Sequence, residues 1–235
     1  MVVSDTDATE ATGARQVPWR EFFTWFRRTW RQGEHVSLIG PTGSGKTTLG
    51  IHLIALRPYV TAFAVKPQDD TMHKLLRAGY MLEREWVPEL SDHIVLWPRY
   101  KALGDMEHMH QAFLDALNRG VRMGGWCFFI DEVAFVTAEL RMERELRVLW
   151  QIARSTGVTI VAGTQRPAHV PLVMYDQATH LFLWNDNDER NLARIGGLGG
   201  ISKRQIIEEV SSLAKHEVLY VNTITRQRTR TKVEL

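Results

Sequence analysis

Eight consecutive residues, Gly40-Pro41-Thr42-Gly43-Ser44-Gly45-Lys46-Thr47, satisfy the pattern G-x-x-x-x-G-K-[ST] at every constrained position. Each residue type has a use in holding phosphate. Gly43 and Gly45 let backbone N–H groups turn inward on phosphate oxygens, and a helix beginning here would aim the positive end of its dipole at the same anion. Lys46 is suited to reach β- and γ-phosphates, and the Thr47 hydroxyl to join the shell of a magnesium ion. Thr48 completes the candidate nucleotide-binding stretch. Two further places carry matching chemistry. Asp131 follows four apolar residues and is suited to hold the magnesium shell. Glu132, next in the chain, could orient or deprotonate a water attacking the γ-phosphate. Gln165 offers one donor and one acceptor, which could touch the γ-phosphate and report its loss. Together these residues predict binding of a nucleoside triphosphate with Mg2+.

Such residues must be held by strands and helices. His35 to Ile39 is β-branched and apolar, and Thr48 to Leu56 repeats apolar side chains at helical spacing, so the glycine loop lies between a strand and a helix. Trp126 to Ile130 reads as a strand buried on both faces, delivering Asp131 and Glu132 at its end. Val158 to Gly163 is a second such strand, ending at Gln165. Further strands are expected at Tyr59 to Val65, Ile94 to Trp97 and Leu181 to Trp184, with a terminal strand or hairpin within 214–235. Helices are expected over Thr71 to Leu82, Asp105 to Val121, Glu139 to Ser155, Asp188 to Ile195 and Ile206 to Leu213. The alternation predicts an α/β fold whose mainly parallel sheet binds ligands at the carboxyl ends of its strands.

At 235 residues the chain suits one α/β domain, expected over 18–235. Residues 1–17 are poor in bulky apolar groups and are expected to form a disordered tail. Trp19, Phe22, Phe23, Phe26 and Trp30 share one face of a helix within 18–33, with arginines on the other; packing against the core or a neighbouring subunit is favoured over a role at bases or membranes. Net charge is +2, with arginines concentrated at Arg15 to Arg31 and Arg226 to Arg230, either a phosphate footprint or solvated faces. Cys127 is the only cysteine, which excludes a disulfide framework. His108 and His110 lie two apart on a helix and face different ways, against metal binding. No apolar run approaches a membrane span and the first residues do not read as a secretory signal, so a cytoplasmic location without membrane insertion is expected.

The order Gly-x-Thr-Gly-Ser-Gly-Lys-Thr, then Ile130-Asp131-Glu132, then Ile152-Ala153-Arg154-Ser155-Thr156-Gly157-Val158 leading into Gly163-Thr164-Gln165-Arg166-Pro167, resembles the FtsK/HerA superfamily of DNA-pumping ATPases over residues 35–195. The resemblance implies a RecA-like P-loop NTPase core that hydrolyses ATP with Mg2+, a ring oligomer (hexamer or pentamer) and translocation of double-stranded DNA. It implies a catalytic Glu132, a sensor Gln165 and an arginine finger donated to the neighbouring subunit, with Arg154 the first choice and Arg166 and Arg190 the alternatives. A compact chain without membrane spans or winged-helix reader is more similar to viral genome-packaging ATPases, which implies a portal or capsid vertex partner, host cytoplasm, and association with a virion or procapsid. A DNA-transfer ATPase of a mobile element is the companion reading. Two others stay open from the residues alone: a small-molecule phosphotransferase, and a nucleotide-switched assembly scaffold that does not move DNA.

Overall fold

A computed structural model describes residues 13–100 and 106–234. Ten strands occur among them: β1 (Arg15–Gln16), β2 (His35–Ile39), β3 (Val60–Phe63), β4 (Met81–Glu83), β5 (His93–Leu96), β6 (Cys127–Ile130), β7 (Thr159–Thr164), β8 (Ala178–Trp184), β9 (Glu217–Asn222) and β10 (Arg228–Lys232). They form one sheet in the order β1-β10-β9-β8-β2-β7-β6-β3-β5-β4. All pairings from β8 through β2, β7, β6, β3 and β5 to β4 are parallel; β9 runs antiparallel to both β8 and β10. The helices are α1 (Trp19–Thr29), α2 (Lys46–Ile54), α3 (Asp70–Arg77), α4 (Glu107–Met123), α5 (Val133–Ala138), α6 (Glu143–Ile152), α7 (Val173–Asp176), α8 (Glu189–Ile195) and α9 (Lys203–Ser211).

The unbroken apolar strands are explained by burial on both faces. Successive residues of β6 alternate between two cores: Phe128 and Ile130 pack with Phe113, Leu146 and Trp150, while Cys127 and Phe129 pack with Leu49, Leu53 and Phe26. The aromatic stripe of α1 belongs to the second core, as the apolar spacing suggested. Phe22 and Phe26 are buried against Phe182 and Tyr220, with ring centroids 5.1–6.0 Å apart. Each such ring contributes roughly 2–3 kcal/mol by leaving water, enough to tie α1 to the sheet.

Several boundaries differ from the expectation. Residues 15–17 are not a structureless tail: Arg15–Gln16 pairs with β10, and Val17 is buried. Ala14 N donates to Glu209 Oε1 at 3.1 Å, while residues 1–12 of that segment and the expected helix start at Asp105 lie outside the described residues. The helix expected to Leu82 stops at Arg77, because Gly79 takes a left-handed φ of +97° and turns the chain into β4. The segment expected as one helix from Glu139 is preceded by α5 and begins only at Glu143, beyond Arg141 at φ +54°. It ends at Ile152, passing into a 3-10 turn over Ala153–Thr156.

Candidate functional site

The glycine loop expected to bind phosphate joins β2 to α2 at the carboxyl edge of the sheet, and two neighbouring strands end beside it. Register sets this: Ile39 pairs with Thr164, one residue before Gln165, and Ala162 pairs with Ile130, one residue before Asp131. Parallel strands in near alignment therefore deliver Gly40, Gln165 and Asp131 to the same edge. Gly43 and Gly45 hold φ values of +74° and +107°, which ordinary side chains resist. Gly40 N–H donates to Thr164 O at 3.2 Å, fastening the loop to β7.

Thr47 and Asp131 meet directly: Thr47 Oγ1 donates to Asp131 Oδ2 at 2.6 Å, tying the first turn of α2 to the end of β6. The other oxygen, Asp131 Oδ1, is buried with no hydrogen-bond partner among the described residues, as are Ser44 Oγ and Trp184 Nε1. Burial holds the Asp131 carboxyl above the usual carboxylate range, opposed by the Thr47 hydrogen bond and reinforced by the nearby Glu132 charge. A carboxylate with one hydroxyl partner, one orphaned oxygen and a raised proton affinity suits a divalent cation. Thr47 and Asp131 thus fit the magnesium role in chemistry and position. Lys46 is buried, its Nζ donating to Pro41 O at 2.7 Å; burial lowers its pKa against the pull of Asp131 and Glu132. An ammonium curled back on its own loop is a donor that a phosphate can recruit.

Glu132 and Gln165 are linked to the loop by one chain of hydrogen bonds. Thr42 Oγ1 donates to Gln165 Oε1 at 2.6 Å, and Gln165 Nε2 donates to Glu132 Oε1 at 3.1 Å. A change at the phosphate loop therefore has a physical route to Glu132 through Gln165. Glu132 Oε1 accepts a second bond, from Lys66 Nζ at 2.9 Å. Burial works against the Lys66 ammonium, but the Glu132 bond and charge hold its pKa above the usual lysine value. These residues line a cavity of about 480 Å3, within the size range of small-molecule sites.

Lys66 escaped the sequence reading, although it follows a strand ending on this same edge, where a charged residue is a signal. The apolar run predicts Gly163 as the end of a strand, but not the close approach that requires glycine there. A Cβ there would lie 2.7 Å from Asp131 O and 2.9 Å from Oδ1, so glycine lets β7 pass close beside the acid.

Arg154 is not brought to this cluster. It lies in the 3-10 turn before β7, at the amino end of a six-residue strand whose carboxyl end leads to Gln165, a separation of about 20 Å at the usual rise. Its Nη2 donates to Thr179 Oγ1 at 2.7 Å. Arg166 and Arg190 are nearer the loop, lining a neighbouring pocket with Pro41, Thr42 and Gln165. The basic clusters divide. Arg20, Arg27, Arg28 and Arg31 on and after α1 are exposed. Arg228 and Arg230 instead form ion pairs with Glu209 and Glu217 and serve the C-terminal hairpin. His110 Nδ1 lies 2.6 Å from Leu140 O, a structural contact between α4 and the loop before α6. No group of three or more potential metal-binding His, Cys, Asp or Glu side chains occurs among the described residues.

No protein-family model matches the chain, and comparison with curated proteins gives no match. Solved structures do. The genome packaging NTPase B204 from Sulfolobus turreted icosahedral virus 2, in complex with AMPPCP, has a TM-score of 0.61 at 17% identity, over 87% of this chain and 100% of that one. VirB4 of Thermoanaerobacter pseudethanolicus has a TM-score of 0.65 at 12% identity, over 86% and 89% of the two chains. The pCW3 conjugation coupling protein TcpA, with ATPγS, has a TM-score of 0.54 at 15% identity, over 86% of this chain and 60% of that one. No helix among the described residues is long and apolar enough to cross a membrane. The chain has an α/β fold of the RecA-like P-loop kind, with a mostly parallel sheet flanked by helices, and is similar in fold to the genome packaging NTPase B204, to VirB4 and to the conjugation coupling protein TcpA.

Proposed function

We propose that the chain is an ATP-hydrolysing translocase of double-stranded DNA, serving as a viral genome-packaging motor or as the DNA-transfer ATPase of a mobile element. The observation that carries the ATPase reading is the continuous bonding from Thr42 through Gln165 to Glu132, beside the Thr47–Asp131 pair. DNA as the object of the work is supported by the likeness in fold to the packaging NTPase over the whole of that chain.

In this reading the backbone amides of 43–48 and the Lys46 ammonium bind the phosphates. Thr47 and Asp131 hold Mg2+, which when bound offsets phosphate charge. Glu132 orients a water and takes its proton, and Gln165 registers the presence of the terminal phosphate. Lys66 holds Glu132 in place by the hydrogen bond from its Nζ. A carboxylate so placed favours water as acceptor over the alcohol of a small-molecule phosphotransferase. Arg154 is about a strand's length from its own loop, so its catalytic role would be in trans, in a hexameric or pentameric ring where its guanidinium meets the neighbour's nucleotide. A portal or capsid vertex protein, at a procapsid in the host cytoplasm, is the partner that fits a packaging motor.

ATPase measurements with and without duplex DNA test the proposal. Stimulation by duplex DNA that falls steeply with salt is expected, because phosphate contacts are made at the expense of bound counterions. Full activity of a monomer indifferent to DNA would refute translocation. Mixing Arg154→Ala with Glu132→Gln subunits tests the ring: recovered activity supports a finger in trans, and none at any ratio, with mixed assembly verified, counts against Arg154.

A further inference from the structure

One wall of the phosphate cavity belongs to no motif. His216 lies in the turn between α9 and β9 and lines the cavity with Gly45 and Thr48; it is the only aromatic side chain in that lining among the described residues. Its backbone is in the left-handed region, at φ +66°, which it shares with only two other non-glycine residues among those described. Such a conformation costs free energy and persists where the surroundings enforce it. Here they do: Val233 N donates to His216 O at 3.1 Å, and Glu217 Oε2 accepts from Ala214 N at 2.8 Å while also pairing with Arg230. The C-terminal hairpin thus holds an imidazole against the cavity, and its Nδ1 is buried with no partner among the described residues.

Strand order says what that ring faces. Asp131, Glu132 and Gln165, the residues suited to a terminal phosphate, follow β6 and β7 on one side of β2, whereas β8 and β9 lie on the other. A triphosphate with its terminal group toward β6 and β7 and its inner phosphates over the start of α2 must direct its nucleoside toward β8 and β9. His216, immediately before β9, stands on that side. We propose that His216 is the nucleobase platform of this site, its imidazole stacking on the base of a bound purine nucleoside triphosphate. This rests on the reading of the site as nucleotide-binding.

The test is binding, measured by calorimetry with Mg2+ and two probes: a non-hydrolysable ATP analogue, which has a base, and inorganic tripolyphosphate, which does not. His216→Asn removes the ring while keeping a residue that tolerates the left-handed region. The variant is expected to bind the analogue about five- to a hundredfold more weakly, as for one base losing an aromatic partner. Its affinity for tripolyphosphate is expected to stay within about twofold of the parent. Equal affinity of parent and variant for the analogue, or equal weakening of both probes, would overturn the assignment. Nuclear Overhauser contacts between base protons and the His216 ring in the unmodified protein are expected as well; their absence at saturation would overturn it without any variant. Failure of the unmodified protein to bind either probe would instead remove the nucleotide reading beneath it.

Discussion

Replacing Glu132 by Gln separates the chemistry of this site from its stability. The carboxylate accepts Lys66 Nζ at 2.9 Å and Gln165 Nε2 at 3.1 Å; the Lys66 and Glu132 side chains are 52% and 20% exposed. An ion pair this open to solvent is screened and contributes about 0.5–1 kcal/mol at most. For a chain of this length that corresponds to a melting shift of roughly 1–4 °C. A glutamine is nearly isosteric and keeps an acceptor for Gln165, so the fold and the phosphate loop remain. Loss of a general base costs about 10²–10⁴ in rate, or roughly 2.7–5.5 kcal/mol of transition-state stabilisation, several times the stability term. Single-turnover ATP hydrolysis, calorimetric affinity for ATP and a thermal melt measure the three quantities. The expected variant binds ATP within a few-fold of the parent, melts within about 4 °C of it, and hydrolyses at least about a hundredfold more slowly. Intact hydrolysis with weakened binding would show Glu132 to be a ligand or folding residue. A melt lowered by more than about 8 °C would show that the Lys66–Glu132–Gln165 cluster holds the fold together.

Three further outcomes follow from the same geometry. Lys46→Ala removes the only ammonium of the phosphate loop and is expected to abolish ATP binding or turnover; unchanged steady-state hydrolysis would refute the site. Gly163→Ala drives a methyl group against Asp131 and is expected to cost about 1–3 kcal/mol of stability and to weaken Mg2+-dependent nucleotide binding, measured by denaturant unfolding and calorimetry; a neutral result in both would mean that β7 yields freely there. His35 is buried, and burial followed by the Arg154 charge depresses its pKa from 6.5 to about 4, while its Nδ1 accepts from Ile160 N at 3.2 Å. The unfolded chain therefore binds this proton more tightly, so the contribution is complete above pH 6.5 and falls away as pH drops toward 4, by up to about 3 kcal/mol. Denaturant unfolding across that window checks it, and His35→Gln should flatten the slope; an identical slope in the variant would refute the assignment.

The placement of the glycine loop at 40–47, of the acids at 131 and 132 and of the glutamine at 165 at strand ends was legible because the strands carrying them are unbroken apolar runs. A loop that must present backbone amides requires glycine, and a strand covered on both faces requires apolar residues; both constraints act on neighbours in the chain. The aromatic face of α1 was legible for the same reason, its period matching the helix. The helix stop at Gly79 and the break before Glu143 depended on backbone conformations at single residues, which apolar periodicity does not register.

Contacts between distant segments were a different matter. Lys66 reaches Glu132 across 66 positions only because β3 and β6 are adjacent in the sheet, and Gly163 is constrained by Asp131 only because β6 and β7 are. Arg228 and Arg230 looked like free cations until the folded chain paired them with Glu209 and Glu217. His216 reaches the phosphate cavity because β9 is antiparallel to β8, which returns its first residues to the edge where the parallel strands end. Strand order and direction decide such meetings, since they arise from packing the whole sheet and leave no periodic trace in the residues that meet.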